Sequence, residues 1–297
     1  MATTVTVNSS FKGVPAGEIF GQIFNQANTI QDGLISVIPN IVGSGFLRKT
    51  YIGDGLADYS CGWNASGSVN LTEKEVTPKK LKVNIEICKE SFRSRWSAAQ
   101  MGFSAWNKEI PADEKEAILL ELGNSISAKI DSYIWTGVAA NNGQFGGLIP
   151  QMVADASVVD VVGAVITPAN VVAEMGKALD AASDEVTSRE DFVFGVSKNV
   201  YRAYVRALSA TNANFQSDSA FFDTYKVSVI NGLPANTMVL YPAGLVNFLT
   251  GLESDSQEIV IKDMDESDLS GNIRVKMVFT AGVGYVDGSD IVLYKTA

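Results

Sequence analysis

Histidine is absent from this sequence of 297 residues. Because histidine is the usual general base near neutral pH and the commonest metal ligand, its absence removes both roles at once. A serine or cysteine nucleophile with a histidine partner is excluded within this chain. No other group of residues forms a recognisable motif, so we predict no catalytic, cofactor-binding or metal-binding residues, no cofactor, and a protein that is not an enzyme.

Cysteine is almost as scarce, since the chain contains only Cys61 and Cys88. The two residues form neither a CxxC pair nor a zinc-binding spacing. If the segment between them is a hairpin, the two side chains could face each other. We interpret them instead as reduced thiols in a reducing compartment.

Long apolar stretches and clusters of basic residues are also missing. No apolar run approaches the roughly 18 residues that span a bilayer, so no membrane contact is expected. The N-terminus MATTVTVNSSFKG has neither a basic segment nor an apolar signal core, which argues against secretion. The net charge is −10, with the acidic residues spread along the chain. Tight phosphate-backbone binding needs clustered Lys and Arg, so any contact with nucleic acid should be weak and local.

The most prominent feature that is present is a long amphipathic segment at residues 111–137. Pro111 suits the first helical turn, where its missing N–H costs no hydrogen bond, and acidic residues follow it. Gly137 suits the left-handed position that often ends a helix. At about 1.5 Å per residue, the predicted helix is roughly 38 Å long. Its apolar residues fall within roughly 160° of arc, and they are Ile118, Leu119, Leu122, Ile126, Ile130, Tyr133 and Ile134.

The chain before this helix is predicted to be mostly extended. Residues 15–31 have the spacing of a short amphipathic helix, and Pro39 ends a short buried strand. From 46 to 90 the pattern is extended, and the strict alternation from Leu81 to Ile87 indicates a half-buried strand. A long two-stranded projection is marginal alone, so we interpret this segment as an extended loop that docks on another subunit; a solvated hairpin is the alternative. Residues 91–106 are predicted to form a short helix.

The chain after the long helix is predicted to be a connector, an α+β unit and a final set of strands. The connector contains Gly143, Gly146 and Gly147, but no Lys-Ser/Thr follows, so a flexible connector is favoured over a phosphate-binding loop. In the α+β unit the segment AGLVNFLTG, which follows the strand NTMVLYP, is predicted to be a helix. The acidic segment DMDESDLSG resembles a calcium loop only superficially, because the positions of its glycine and final glutamate do not match.

The order of these elements resembles the major capsid proteins of tailed bacteriophages, which have the Hong Kong 97-type fold. SAKIDSYIWTGVAANNGQFGGLIP resembles the end of the family's spine helix, INGLPANTMVLYPAGLVNFLTG resembles part of its axial domain, and NIRVKMVFTAGVGYVDGSDIVLY resembles its closing hairpin. The resemblance implies an α+β, Hong Kong 97-like capsid fold with four parts. These are the N-terminal arm (1–45), the extended β-hairpin loop with its return strand (46–90), the peripheral domain (91–165 and 252–297) with the long spine helix (111–137), and the axial α+β domain (166–251).

The function that this resemblance implies is structural. Family members self-assemble into hexamers and pentamers, which form the icosahedral shell around a double-stranded DNA genome. The protein would then lie in the virion capsid after assembly in the cytoplasm of a bacterial host. Some members cross-link a loop lysine to a neighbour's asparagine, and Lys74, Lys79 and Lys80 lie in the matching loop. Because no motif identifies their partner, we do not transfer this chemistry.

The partners that the resemblance implies are further copies and other virion proteins. The arm at 1–45 is too short for a fused scaffolding segment, so we expect a separate scaffolding protein. A portal, possible decoration proteins and weak non-specific contact with packaged DNA complete the expected set.

Two other functions are alternatives to this one. An encapsulin-like nanocompartment shell would use the same fold to enclose cargo enzymes, but the sequence has no recognisable cargo-docking signature. A carboxylate-dependent enzyme built on residues 166–251 would need polar side chains that converge at strand ends, and no strand end gathers them.

One structural expectation concerns the packing of the predicted spine helix. Its apolar face should lie under the C-terminal strands, with Gly123 in that face permitting a close backbone approach. A charge at Ile126 should therefore prevent folding as well as assembly.

Overall fold

A computed structural model describes residues 10–11, 27–53, 55–59, 61–63, 67–89, 112–211, 221–251, 259–265 and 270–296. Most of the helix predicted at 15–31, the whole helix predicted at 91–106, and Pro111 lie outside the described residues. None of the described helices is both long and apolar enough to cross a membrane.

Six α-helices lie within the described part of the chain. The longest spans Ala112–Thr136, which confirms the long helix predicted at 111–137. In chain order the helices are α1 (Asn28–Gln31), α2 (Ala112–Thr136), α3 (Leu148–Ala154), α4 (Val171–Asp180), α5 (Asp184–Thr187) and α6 (Lys198–Thr211).

Fourteen strands alternate with these helices in the described residues. They include the predicted half-buried strand, whose residues alternate between partly buried and exposed from Leu81 to Ile87. In chain order the strands are β1 (Ser10–Phe11), β2 (Ser36–Ile38), β3 (Gly45–Ile52), β4 (Val69–Val76), β5 (Lys79–Cys88), β6 (Val159–Gly163), β7 (Phe192–Ser197), β8 (Phe221–Phe222), β9 (Tyr225–Ile230), β10 (Met238–Pro242), β11 (Val246–Thr250), β12 (Ile259–Asp263), β13 (Asn272–Tyr285) and β14 (Val292–Thr296).

The strands form two sheets and one separate hairpin. The first sheet has the order β1-β12-β13-β11-β2, and β5 pairs with β13 along the side opposite β12. The second sheet has the order β6-β14-β10-β7-β9-β8. Strands β3 and β4 pair only with each other among the described strands, and we call them the hairpin. The long strand β13 therefore organises the first sheet, because it has three neighbours.

Helix α2 packs on the first sheet and forms the larger core. Ile126, Ile130 and Ile134 are buried in one cluster with alternate residues of β13, among them Val275 and Met277. This confirms that the apolar face of the helix lies under the C-terminal strands. Burying one such aliphatic side chain contributes about 1.5–3 kcal/mol, so this contact is a major source of stability.

Helices α4 and α6 pack on the second sheet and form a separate core. Val171 and Met175 of α4 and Val200 and Tyr204 of α6 are buried against strand residues such as Phe194. The strands predicted from FVFGV, KVSVING and NTMVLYP correspond to β7, β9 and β10, which confirms those predictions.

The predicted helix in AGLVNFLTG is wrong. Only Ala243–Leu245 forms a short 3₁₀ turn, and Val246–Thr250 is the strand β11, paired antiparallel with β13. All five residues of β11 are buried. In a short, mostly apolar run, periodicity does not distinguish a buried helix from a buried strand. Here the segment is a strand because it pairs with the open edge of β13.

The role predicted for Gly137 is also wrong. Its φ is not positive, unlike that of Gly143, which is 75°. A side chain at Gly137 would instead collide with the carbonyl oxygens of Phe145 and Tyr133. The Gly147 N–H donates to the Gly137 carbonyl oxygen at 2.8 Å, so the connector that was predicted to be flexible is packed against the end of α2.

The division of the chain into four parts stays a prediction, and the strand pairing crosses it in several places. Strands β6 and β14, from the predicted peripheral regions, pair within the second sheet. Strand β11, from the predicted axial region, pairs within the first sheet, and so does β5 from the predicted loop region. The two sheets are therefore linked by chain that passes repeatedly between them.

Candidate assembly surfaces

The hairpin is held to the rest of the protein at its base and is exposed beyond it. Its strands pair in register over eight residues on each side, with Ile52 at the distal end. Near the base, Leu47 and Val76 are buried against Leu249 and Val286. From the middle of the hairpin outward no residue of either strand is buried.

The exposed part of the hairpin carries an unusual number of large apolar side chains. The chain between the two strands, residues 53–68, is the tip of the hairpin; Trp63 in the tip is 95% exposed, and Leu71 in β4 is 72% exposed. Contiguous exposed apolar surface is rare on soluble monomers and marks interaction sites. The apolar side chains concerned are Phe46, Tyr51, Ile52, Leu56, Tyr59, Trp63, Val69 and Leu71.

Lys49 anchors the first hairpin strand to the C-terminal turn. Its Nζ lies 3.1 Å from Asp287 Oδ2 and 2.5 Å from Asp290 Oδ2. Partial burial alone would lower the pKa of Lys49, but the hydrogen bonds to Asp290 and Asp287 outweigh it and raise the pKa. Burial likewise opposes ionisation of Asp287, but hydrogen bonds from Ser289 and Lys49 leave its pKa below the usual range. Lys49 and Asp287 are therefore both charged at neutral pH.

Lys74 anchors the second hairpin strand in a different way. Its Nζ lies 3.5 Å from Asp155 Oδ2 and 3.5 Å from the centre of the Tyr285 ring, which places the cation over an aromatic face. The Tyr285 hydroxyl donates to Asp155 at 2.9 Å. Hydrogen bonds from Ser157, with smaller contributions from Tyr285 and Lys74, lower the pKa of Asp155 to about 2.

These two anchors fix the direction in which the hairpin leaves its base. They bind both strands, through side chains on the same face as the buried Leu47 and Val76. Because each lysine is less than one-third exposed, the ion pairs are less screened by solvent than surface pairs are. The anchors therefore hold the base of the hairpin in place while its apolar distal part is exposed among the described residues.

The face of the first sheet that points away from α2 is strongly basic. Cross-strand neighbours in β5, β13 and β12 share a face, and on this face the register aligns Glu86 with Arg274 and Lys262. Arg274 pairs with Glu86 at 3.1 Å, and Glu86 is the one carboxylate that these three strands place on the face. The basic residues on it are Lys80, Lys82, Lys262, Arg274 and Lys276, and all five are exposed.

We call this surface the basic face. In a chain with net charge −10, a group of five cations with one carboxylate is a marked local excess. Among the described residues, no carboxylate forms an ion pair with Lys80, Lys82 or Lys276. Two adjoining depressions of about 470 and 490 Å³ lie on the basic face, with Val260 and Lys276 at both. The surface thus combines apolar grooves with positive charge that the carboxylates of the described strands balance only in part.

Other residues that the sequence singled out have structural partners. Lys79 donates to the carbonyl oxygens of Ala139 and Asn141 at 3.0 and 3.1 Å. In the acidic segment, Asp263 and Asp265 bind Lys89 at 2.5 and 2.6 Å. Within the described ranges, no group of three His, Cys, Asp or Glu side chains is arranged to hold a metal ion.

The sequence reading missed both the anchors and the basic face. The alternation of β5 already placed Lys82 and Glu86 on one side, but Lys262 and Lys276 join them only through the pairing of β12 and β5 with β13. Lys49 and Asp287 are far apart in the chain, and no local pattern connects them.

A long helix under one sheet, a second sheet flanked by helices, and a projecting hairpin together form the fold of a viral shell protein. It is the fold of the major capsid proteins of tailed bacteriophages. The chain is similar to the capsid protein of a native GTA particle, with 11% identity and a TM-score of 0.63, covering 99% of this chain and 95% of that one.

Two further structures show the same fold. A Gordonia phage Cozz chain has 11% identity and a TM-score of 0.60, covering 91% of this chain and 86% of that one. A chain of the satellite phage P4 procapsid has 12% identity and a TM-score of 0.56, covering 91% and 98%. No family model matches the sequence, and no curated protein is similar to it in sequence. The GTA and P4 chains come from a capsid and a procapsid, and these neighbours do not favour the encapsulin-like alternative.

Proposed function

We propose that this chain is a major capsid protein whose copies form hexamers and pentamers, and that these build an icosahedral shell around a double-stranded DNA phage genome. The observation that carries the proposal is the anchored hairpin, whose large apolar side chains are left exposed by the described residues of one copy. The capsid fold supports the same conclusion. The proposed place of the protein is the virion capsid, after assembly in the bacterial cytoplasm.

The hairpin supplies one half of the proposed contact between copies. The face that points away from the anchors contains Phe46, Ile52, Val69 and Leu71, all more than half exposed. The same face carries Glu73, which pairs with Arg48, and Glu75, which has no ion pair among the described residues. This face therefore combines apolar side chains with negative charge.

The basic face of a neighbouring copy supplies the other half. It has apolar grooves beside exposed lysines, so both the apolar and the charged parts of the hairpin find complementary partners there. Stable interfaces bury more than about 1,000 Å² in total, and an extended hairpin can contribute a large part of that area. Because the hairpin is anchored at the base of its own copy, we place its exposed part on the basic face of a neighbour.

Other virion components enter the proposal more weakly. A net charge of −10 suits an inner surface that must not bind packaged DNA tightly. A separate scaffolding protein, a portal and possible decoration proteins are the proposed further partners. We expect weak retention on DNA at low salt and none at physiological ionic strength.

The test is assembly of the purified protein, with a charge reversal on the basic face. Negative-stain images of the wild type should show particles, tubes or free capsomers. Lys80→Glu with Lys82→Glu should remain folded but stay monomeric on sizing. The control variant is Lys198→Glu with Lys226→Glu. It reverses the same number of charges at exposed positions outside the basic face, and it should assemble normally.

Two results would contradict the proposal. Dispersed wild-type monomers at micromolar concentration and low ionic strength would refute the shell function. Normal assembly of the Lys80 and Lys82 variant would refute the basic face as the receiving surface, while leaving the shell function intact.

A further inference from the structure

The two cysteines of the chain lie on the two surfaces that the proposed contact brings together. Cys61 is exposed in the tip of the hairpin, between Tyr59 and Trp63. Cys88 is exposed at the end of β5 and points to the basic face, because it pairs with Asn272 in the same register as Glu86 with Arg274. In the part of the chain that the structure describes, the two residues do not form a disulfide with each other.

The dimensions of the two surfaces allow these cysteines to meet between copies. Along β4, Glu75 and Val69 are six residues apart, which is about 20 Å at the rise of a strand. Along β5, Lys80 and Cys88 are eight residues apart, which is about 27 Å. Suppose that Glu75 of one copy lies beside Lys80 of a neighbour, and that the hairpin runs along the neighbour's β5 toward Cys88. The paired part of the hairpin, about 20 Å long, then ends about 7 Å before Cys88, since the strand measures about 27 Å from Lys80 to Cys88. Cys61 lies in the tip beyond this end, nine residues after Ile52 and eight before Val69, which is more than enough chain to span that distance.

We infer that Cys61 of one copy and Cys88 of a neighbouring copy form a disulfide across the docked contact. This inference rests on the proposed function. Both S–H bonds are lost, one S–S bond forms, and an external two-electron oxidant such as dioxygen or diamide takes up two electrons and two protons. The reducing cytoplasm keeps the thiols reduced during assembly, and the bond forms after the shell meets an oxidising medium.

The link has a direction, because each copy offers one cysteine on its hairpin and one on its basic face. A head-to-tail contact of this kind joins each copy to the next and closes when the ring of copies closes. Oxidation therefore produces chains of covalently linked copies rather than isolated pairs.

The experiment treats assembled wild-type protein with diamide and separates it on a non-reducing denaturing gel. The wild type should give a ladder of linked copies that thiol reductant removes. Cys61→Ser and Cys88→Ser should each give monomer only. When the two variants are mixed before assembly, dimers should return without larger species, since each copy then has one cysteine.

The following outcomes of this experiment would overturn the inference. A dimer that persists in Cys88→Ser alone would show that tips meet tips. A fast-migrating monomer in the wild type would show a link within one copy. Intact particles or capsomers on negative stain without a ladder would refute the inference and leave the proposed function standing, whereas monomers on negative stain would remove the proposed function itself.

Discussion

Replacing Ile126 by Asp should abolish the soluble, folded subunit. Ile126 lies on the inner face of α2, is 7% exposed and belongs to the larger core. Losing its burial costs about 1.5–3 kcal/mol, and an unpaired carboxylate in an apolar site adds several kcal/mol more. The sum, above about 5 kcal/mol, approaches the whole stability of a typical domain, about 5–15 kcal/mol.

The matched control is Leu120→Asp on the same helix. Leu120 is 49% exposed, so the same charge there should change stability by less than about 1 kcal/mol. The assay is soluble yield, followed by circular dichroism and urea unfolding of whatever is soluble. Ile126→Ala provides a measurable intermediate and should lose about 2–5 kcal/mol. A well-expressed, folded Ile126→Asp monomer would refute this account of the spine helix.

Three further predictions concern the glycine contacts, the second anchor and the tip. Gly137→Ala should destabilise by about 1–3 kcal/mol because its Cβ meets backbone oxygens, whereas Gly176→Ala, with open space, should not destabilise. Because the pKa of Asp155 is lowered to about 2, its ionised carboxylate contributes fully to stability above about pH 4, and this contribution is lost as the pH falls through 2. The free energy of unfolding of Asp155→Asn should therefore change less between about pH 4 and pH 2 than that of the wild type, as measured by acid unfolding. Trp63→Ser, at a side chain 95% exposed, should leave the unfolding midpoint unchanged and weaken assembly on sizing.

The sequence predicted the elements whose periodicity is long or strict. Helix α2 has an apolar stripe over several turns, and β5 alternates over its whole length, so neither depends on distant partners. The strand β11 could not be predicted in the same way, because its five residues are all apolar or small enough to be buried in either conformation. Its structure is decided by the edge of β13, which is a tertiary contact.

The assembly surfaces were predictable only in part, for a related reason. The hairpin was recognisable because the pattern from 46 to 90 is extended and a long two-stranded projection is marginal alone. The basic face needed the register between β5, β13 and β12, since no short stretch of sequence contains more than two of its five cations. The anchors Lys49 and Lys74 needed the same kind of long-range information.

The anchors also explain how a marginal two-stranded element can serve as a rigid connector between copies. A hairpin alone would sample many directions, and fixing it on a neighbour would cost conformational entropy at each contact. Lys49 and Lys74 hold both strands to the body before assembly, so part of that ordering is already complete in the free subunit. The exposed apolar side chains beyond the anchors then reach a neighbour in one preferred direction, which allows identical copies to repeat the same contact around a closed ring.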